Sequence, residues 1–190
     1  MNLPNKLTLS RFALTLAFLG AMFSEVRFSK TCALVLFSIA SLTDYFDGKI
    51  ARRDKLITNF GILMDPLADK ILVCSAFIAF VGLGWIAAWM VVLIVARELA
   101  ITGLRLLAAT KNVVLAAEGY GKHKTISQIV AIIAILVFYT RPEWGGAGQL
   151  VFGRWVDGFM PLAKWVAVLL TFVSGSLYLW RNRRLYLQDL

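Results

Sequence analysis

Four aspartates set between apolar stretches constrain this chain more than any other feature. Asp44 and Asp47 stand in Asp44-Tyr45-Phe46-Asp47-Gly48-Lys49-Ile50-Ala51-Arg52, and Asp65 and Asp69 in Gly61-Ile62-Leu63-Met64-Asp65-Pro66-Leu67-Ala68-Asp69. On helices, spacings of three and four residues put each pair on one face. Residues 53–60 are polar at Arg53, Asp54, Lys55, Thr58 and Asn59, the length and chemistry of a turn joining antiparallel helices. Folded at that turn, Asp44 is level with Asp69 and Asp47 with Asp65. Gly48 and Gly61 would let the two backbones approach closely. Each carboxylate at mid-membrane costs on the order of 2.5–3.5 kcal/mol, and like charges add repulsion. Divalent cations remove both penalties, and an all-oxygen donor set favours hard ions such as Mg²⁺ or Mn²⁺. The plainer reading makes the acids helix caps, or neutralises them with Lys49, Arg52, Arg53 and Lys70. For a single acid that reading is the better one; for four at matched depths the metal site is.

Composition sets the surroundings of that cluster. The chain has 190 residues, of which 59% are hydrophobic and only 16% charged. That balance predicts an all-α integral membrane protein, a single membrane-embedded domain over residues 1–190 with about six transmembrane helices. The expected spans are 7–24, 31–52, 60–81, 85–108, 125–140 and 161–180. Trp85, Trp89, Trp144, Trp155 and Trp180 fall near their ends, where interfacial aromatics belong. Residues 141–160 read as a surface connection rich in glycine. The apolar segment from Phe12 to Phe23 has no obvious small-residue cleavage site and is expected to belong to the mature chain. Net charge is +9; in an apolar chain this points to anionic lipid headgroups and phosphorylated substrates, not to nucleic acid. The lysines and arginines gather on one side of the expected spans. The positive-inside rule then puts both termini and the acids toward the cytoplasm, in a cytoplasmic (inner) membrane. Cys32 and Cys74 read as small packing residues, and His123, the only histidine, leaves no histidine-based metal site.

A second polar region interrupts the fourth span. Glu98, Thr102 and Arg105 follow i, i+4, i+7 on one stripe, with Arg97 beside it. Gly119-Tyr120-Gly121-Lys122-His123-Lys124-Thr125 precedes the fifth span. Arginine forks and lysine point charges suit a phosphate pocket. The competing reading is a structural ion pair for Arg97 and Glu98 and a positive-inside anchor for Lys122 and Lys124. At the other end of the chain, Asn5 can cap a helix, with Thr8 and Arg11 following at intervals of three.

The spacing of the acids resembles the signature of the CDP-alcohol phosphotransferase family: Asp-x-x-Asp-Gly-x-x-Ala-Arg, eight residues, then Gly-x-x-x-Asp-x-x-x-Asp. Asp44, Asp47, Gly48, Ala51, Arg52, Gly61, Asp65 and Asp69 occupy every fixed position. The Pro-Asn-x-x-Thr-x-x-Arg opening, Ala-Arg-Glu, Thr-Gly-Leu-Arg and Gly-Lys-x-Lys-Thr are similar to features of the bacterial phosphatidylglycerophosphate synthases in that family. The resemblance covers residues 3 to about 130.

It implies a fold and a chemistry. Asp44, Asp47, Asp65 and Asp69 would hold two Mg²⁺ or Mn²⁺ ions, with Asp69 also the general base. Asn5, Thr8, Asp44, Gly48, Ala51 and Arg52 would bind CDP-diacylglycerol. Arg105, Lys122, Lys124, Arg97 and Thr102 would hold the phosphate of the acceptor, sn-glycerol 3-phosphate. A homodimer among membrane lipids is expected on the same ground. A divalent-cation transporter would account for the acids but not for the basic residues on the same side.

Overall fold

The protein, represented here by a computed structural model, is described over residues 3–54, 59–111, 113 and 120–187, with the side chains at 3–8, 44–54, 59–66, 69, 120–122, 184 and 187 outside that description. Every element among the described residues is helical. The order is α1 (Leu3–Phe23), α2 (Ser29–Asp54), α3 (Asn59–Gly82), α4 (Ala88–Thr110), α5 (Tyr120–Thr140), a 3₁₀ turn (Arg141–Trp144), α6 (Gly145–Arg181) and the short α7 (Arg184–Leu187). Among the described residues, six long helices cover the apolar segments that were expected. The acid-bearing α2 and α3 run to Asp54 and from Asn59, so residues 53, 54, 59 and 60 of the expected connection are helical, and 55–58 lie outside the described residues.

One expectation changes. Residues 141–160 are not an irregular loop but the 3₁₀ turn and the first part of α6. Gly145 (φ 58°) starts the helix, and Gly153 (φ −29°, ψ −125°) breaks its course into two arms. The glycines mark a bend between helical arms, while the apolar residues between them keep helical spacing. Trp144, Phe152, Trp155 and Phe159 form a run of tilted ring contacts across the break at Gly153, with centroids 5.2, 6.2 and 5.7 Å apart.

Packing follows from small and aromatic residues on the inward faces. Helix α1 carries the main contacts to both α2 and α3; α5 pairs with α6, α4 lies against α6 and α3, and α2 lies against α5. Phe18 and Met22 of α1, Phe37 of α2, Leu72, Phe77 and Phe80 of α3, Ile94 of α4 and Ile132, Ile135 and Leu136 of α5 are fully buried in one core. Beyond Gly84 (φ 71°), Trp85 stacks between Phe80 and Tyr139, at 5.5 and 4.0 Å, and ties the end of α3 to that of α5.

Many large apolar side chains lie on the outer surface. Leu16, Val92, Leu99, Leu106, Leu150 and Phe172 are each more than half exposed. Apolar patches of that extent mark a surface that meets something other than water. Among the described residues, His123–Arg181 is long and apolar enough to cross a membrane by length and composition, while Leu9–Phe23, Ser29–Thr43 and Lys70–Gly82 are shorter apolar helices.

The two ends of the bundle are held by different polar contacts. At one end, contacts join Lys70 to Thr102, Lys124 to Glu98, Arg105 to Tyr178 and Lys111 to Leu185. At the other, Glu143 accepts hydrogen bonds from the backbone N–H of Lys30 (3.0 Å) and Thr31 (2.9 Å) and from the Thr31 hydroxyl (2.6 Å), capping α2 from the 3₁₀ turn. Trp144 Nε1 adds a bond to the Thr31 hydroxyl at 2.9 Å. Neither Cys32 nor Cys74 is in a disulfide.

Candidate active site

The acids take their place from the backbone. Asp44 and Asp47 lie within α2 and Asp65 and Asp69 within α3, so both spacings fall on continuous helix, as the pairing of carboxylates on one face requires. Their side chains lie outside the described residues, as do those of Asn5, Thr8, Gly48, Ala51, Arg52 and Lys122, which belong to α1, α2 and α5. Among the described residues no group of three or more histidine, cysteine, aspartate or glutamate side chains is placed to hold a metal.

Lys70 follows Asp69 directly, and its ammonium group donates to the Thr102 hydroxyl on α4. That contact brings the polar stripe of α4 against the helix that carries Asp65 and Asp69. Thr102 in turn donates to the Glu98 carbonyl at 2.7 Å. A threonine hydroxyl that donates its hydrogen to the carbonyl four residues back keeps its lone pairs for an outside donor, and Lys70 takes that place.

The expected stripe is therefore present, with its members in different roles. Glu98 is buried, and its Oε1 accepts from Arg97 Nη1 at 3.1 Å and from Lys124 Nζ. Lys124 is itself only 5% exposed. A buried carboxylate facing two cations satisfies the rule that buried charges are paired, and it joins the start of α5 to the middle of α4. Arg105 lies at the surface of the stripe, its Nε 3.4 Å from the Tyr178 hydroxyl and its guanidinium carbon 5.8 Å from that ring's centre. The structure thus brings Arg97, Glu98, Thr102, Arg105, Lys124 and Lys70 to one region.

Helix α6 supplies residues that the sequence reading passed over as an apolar span. Thr171 accepts from Gln128 Nε2 of α5 at 3.0 Å, and both are buried. Gly175 lies under the side chain of Arg97. Thr171, Ser174, Gly175 and Tyr178 follow i, i+3, i+4, i+7, a small and polar stripe legible in principle as one helix face. On α1, Arg11 and Thr15 are buried at 1% and 3%, with the Thr15 hydroxyl donating to the Arg11 carbonyl at 2.8 Å. A polar side chain so enclosed on the helix between α2 and α3 extends the polar region into the bundle.

Comparison with known proteins decides the family. The family model described as CDP-alcohol phosphatidyltransferase matches residues 1–174. The chain belongs to that family. It is 42% identical over 193 aligned residues, 95% of each chain, to a Bacillus subtilis protein named CDP-diacylglycerol–glycerol-3-phosphate 3-phosphatidyltransferase. It is 33% identical over 177 residues, 93% of each chain, to a Rickettsia bellii protein of the same name. A Mycobacterium tuberculosis protein named a probable phosphatidylglycerophosphate synthase is 42% identical over 134 residues, 69% of this chain and 64% of that one. The match extends beyond residue 130, where the sequence motifs end, and so takes in most of α6.

Members of this family use divalent metal ions. The donor set fits such an ion: α2 and α3 offer carboxylates alone, at helical spacing, with no thiolate or imidazole beside them in either run. The cation next in the chain, Lys70, has its ammonium group on Thr102.

Proposed function

We propose that this protein transfers the phosphatidyl group from CDP-diacylglycerol to sn-glycerol 3-phosphate, releasing CMP and forming phosphatidylglycerol phosphate. The observation that carries the reading is the contact of Lys70 with Thr102, because it sets a stripe of phosphate-binding cations against the helix that bears half of the acid signature. Relatives that match along nearly the whole chain bear the name of this activity, which supports the choice of acceptor. The six long helices are read as membrane spans, with the acid end in the cytoplasmic leaflet of the inner membrane, where water-soluble nucleotides and glycerol phosphate are available. The chain is read as one catalytic domain that works as a homodimer among membrane lipids.

Asp44, Asp47, Asp65 and Asp69 would hold two Mg²⁺ or Mn²⁺ ions. When bound, such ions neutralise the diphosphate and the charge that develops as CMP departs. Asn5, Thr8, Gly48, Ala51 and Arg52, with Asp44, hold the cytidine diphosphate end while the acyl chains stay in lipid. Asp69 takes the proton of the attacking glycerol hydroxyl as its oxygen bonds to the phosphorus carrying the lipid and the bond from that phosphorus to CMP breaks. Arg105 and Lys122 bind the acceptor's phosphate, with Lys124 and Arg97 framing the pocket through Glu98; Thr102, expected to join them, instead spends its one O–H on the Glu98 carbonyl and receives Lys70. Most of the rate enhancement in such a reaction is positioning and charge stabilisation, which suits a site assembled from rigid helices.

The test is to incubate the purified protein with CDP-diacylglycerol, Mn²⁺ and each candidate acceptor in turn. CMP release with glycerol 3-phosphate is expected. Product formed only with inositol phosphate, serine or phosphatidylglycerol would reassign the acceptor, and metal flux into liposomes without CMP release would make the protein a transporter.

A further inference from the structure

The stripe on α6 faces the two arginines of α4, and each contact has a specific consequence. A Cβ added at Gly175 would lie 2.6 Å from Arg97 Cγ, 3.6 Å from its Cβ and 3.7 Å from its Cδ. The stem of Arg97 therefore occupies the space that any side chain at 175 would need. That seat lets Arg97 lie between α4 and α6 with Nη1 on Glu98. One helical turn on, Tyr178 is 4% exposed and meets Arg105 twice, through its hydroxyl at Nε and through its ring beneath the guanidinium.

The choice of Nε matters. A guanidinium held at Nε keeps both terminal nitrogens, the pair that grips a phosphate in a fork. Neither terminal nitrogen of Arg105 has a hydrogen-bond partner among the described residues. An aromatic face within about 6 Å adds attraction for the cation without using any of its N–H groups. A free arginine on an exposed helix face would lose rotamer entropy on binding its ligand; one already held loses less.

We infer that Tyr178 and Gly175 are positioning residues for a phosphomonoester acceptor: Tyr178 fixes the guanidinium of Arg105 and Gly175 seats Arg97. Neither touches the reacting atoms. The inference rests on the proposed role of Arg105 in holding the acceptor's phosphate, and it extends the working part of the chain into α6.

The experiment measures kcat and both KM values for the intact protein and for Tyr178→Phe, Tyr178→Leu and Gly175→Ala, with thermal unfolding of each. Tyr178→Phe keeps the ring and loses the hydroxyl; KM for glycerol 3-phosphate is expected to rise about threefold to tenfold, the net worth of one ordinary hydrogen bond. Tyr178→Leu is expected to raise it further and Gly175→Ala to raise it as well, while KM for CDP-diacylglycerol stays within about twofold. In an Arg105→Lys background, which has no Nε, Tyr178→Phe is expected to have no further effect. With an active parent protein, an unchanged acceptor KM in both Tyr178 variants, or an equal rise in both KM values with a lower unfolding temperature, would overturn the inference alone. If the parent protein takes a different phosphorylated acceptor, the same comparison is made with that one. A parent that uses only unphosphorylated acceptors, or none, would overturn the acceptor assignment and this inference together.

Discussion

Lys124, near the start of α5, donates to Oε1 of Glu98 in the middle of α4, and both side chains are buried. Arg97 donates to the same oxygen. One carboxylate thus answers two cations in an apolar bundle. Removing one partner from such a buried group costs about 3–5 kcal/mol, because the remaining charges keep their desolvation penalty. Glu98→Ala is therefore expected to lower the unfolding temperature in detergent strongly, with Glu98→Gln between it and the parent. An Ala variant as stable as the parent would mean that water or lipid phosphate replaces the carboxylate without loss.

The Lys70–Thr102 contact makes a different prediction, because it links two helices that each carry part of the candidate site. Lys70→Met removes the donor yet leaves Thr102 bonded to the Glu98 carbonyl. Stability is expected to change little, within about 1 kcal/mol, the net worth of one hydrogen bond. Turnover is expected to fall about tenfold or more, since displacements near 1 Å between reacting groups cost on the order of a hundredfold. Equal turnover in the Met variant, measured as CMP release, would sever the acid helix from the basic stripe in function.

The contrast between those two residues shows what a sequence does and does not reveal. Helices α2 and α3 were legible because apolar runs and the acid spacing agree on one period, and their positions follow directly. Lys70 was legible only as a charge near the acids, since nothing along the chain says that its partner is 32 residues away. Lys124 read equally well as a phosphate ligand or as a membrane anchor; burial against Glu98 is a property of how α4 and α5 pack. Helix α6 was least legible. Its working face consists of threonine, serine, glycine and tyrosine, residues that do not disturb an apolar pattern, and the glycines at its start imitate a loop. The contacts it makes in the fold, Arg97 over Gly175, Arg105 with Tyr178 and Gln128 with Thr171, give that face a purpose.

The four aspartates are expected to behave in the opposite sense to Glu98. Asp47→Asn, Asp65→Asn and Asp69→Asn each remove a charge from an apolar setting, so the folded protein without metal is expected to be as stable as the parent or slightly more so. Turnover is expected to drop at least about a hundredfold, the usual effect of deleting one group that stabilises developing charge. A chelator should abolish CMP release by the parent, and added Mg²⁺ or Mn²⁺ should restore it, but neither ion should restore the Asn variants. Unchanged turnover in any of the three would remove that residue from the metal site.

Glu143 tests whether the two ends of the bundle are separate in function. Its carboxylate accepts two backbone N–H groups and one hydroxyl at the start of α2, a helix whose own first turn contains no acid. Loss of a helix cap of this kind costs about 1–2 kcal/mol. Glu143→Ala is expected to lower stability by that amount. Glu143→Gln should recover only part of the loss, because the amide nitrogen would face donors where the carboxylate presents an acceptor. Helix α2 leads from Glu143 to Asp44 and Asp47, some fifteen residues or about 20 Å along its axis. A cap at that distance holds the helix end without setting the carboxylate geometry, so kcat per folded molecule is expected to match the parent in both variants. A fall in kcat at unchanged stability would instead make the 3₁₀ turn and α2 a single unit that transmits strain to the acids.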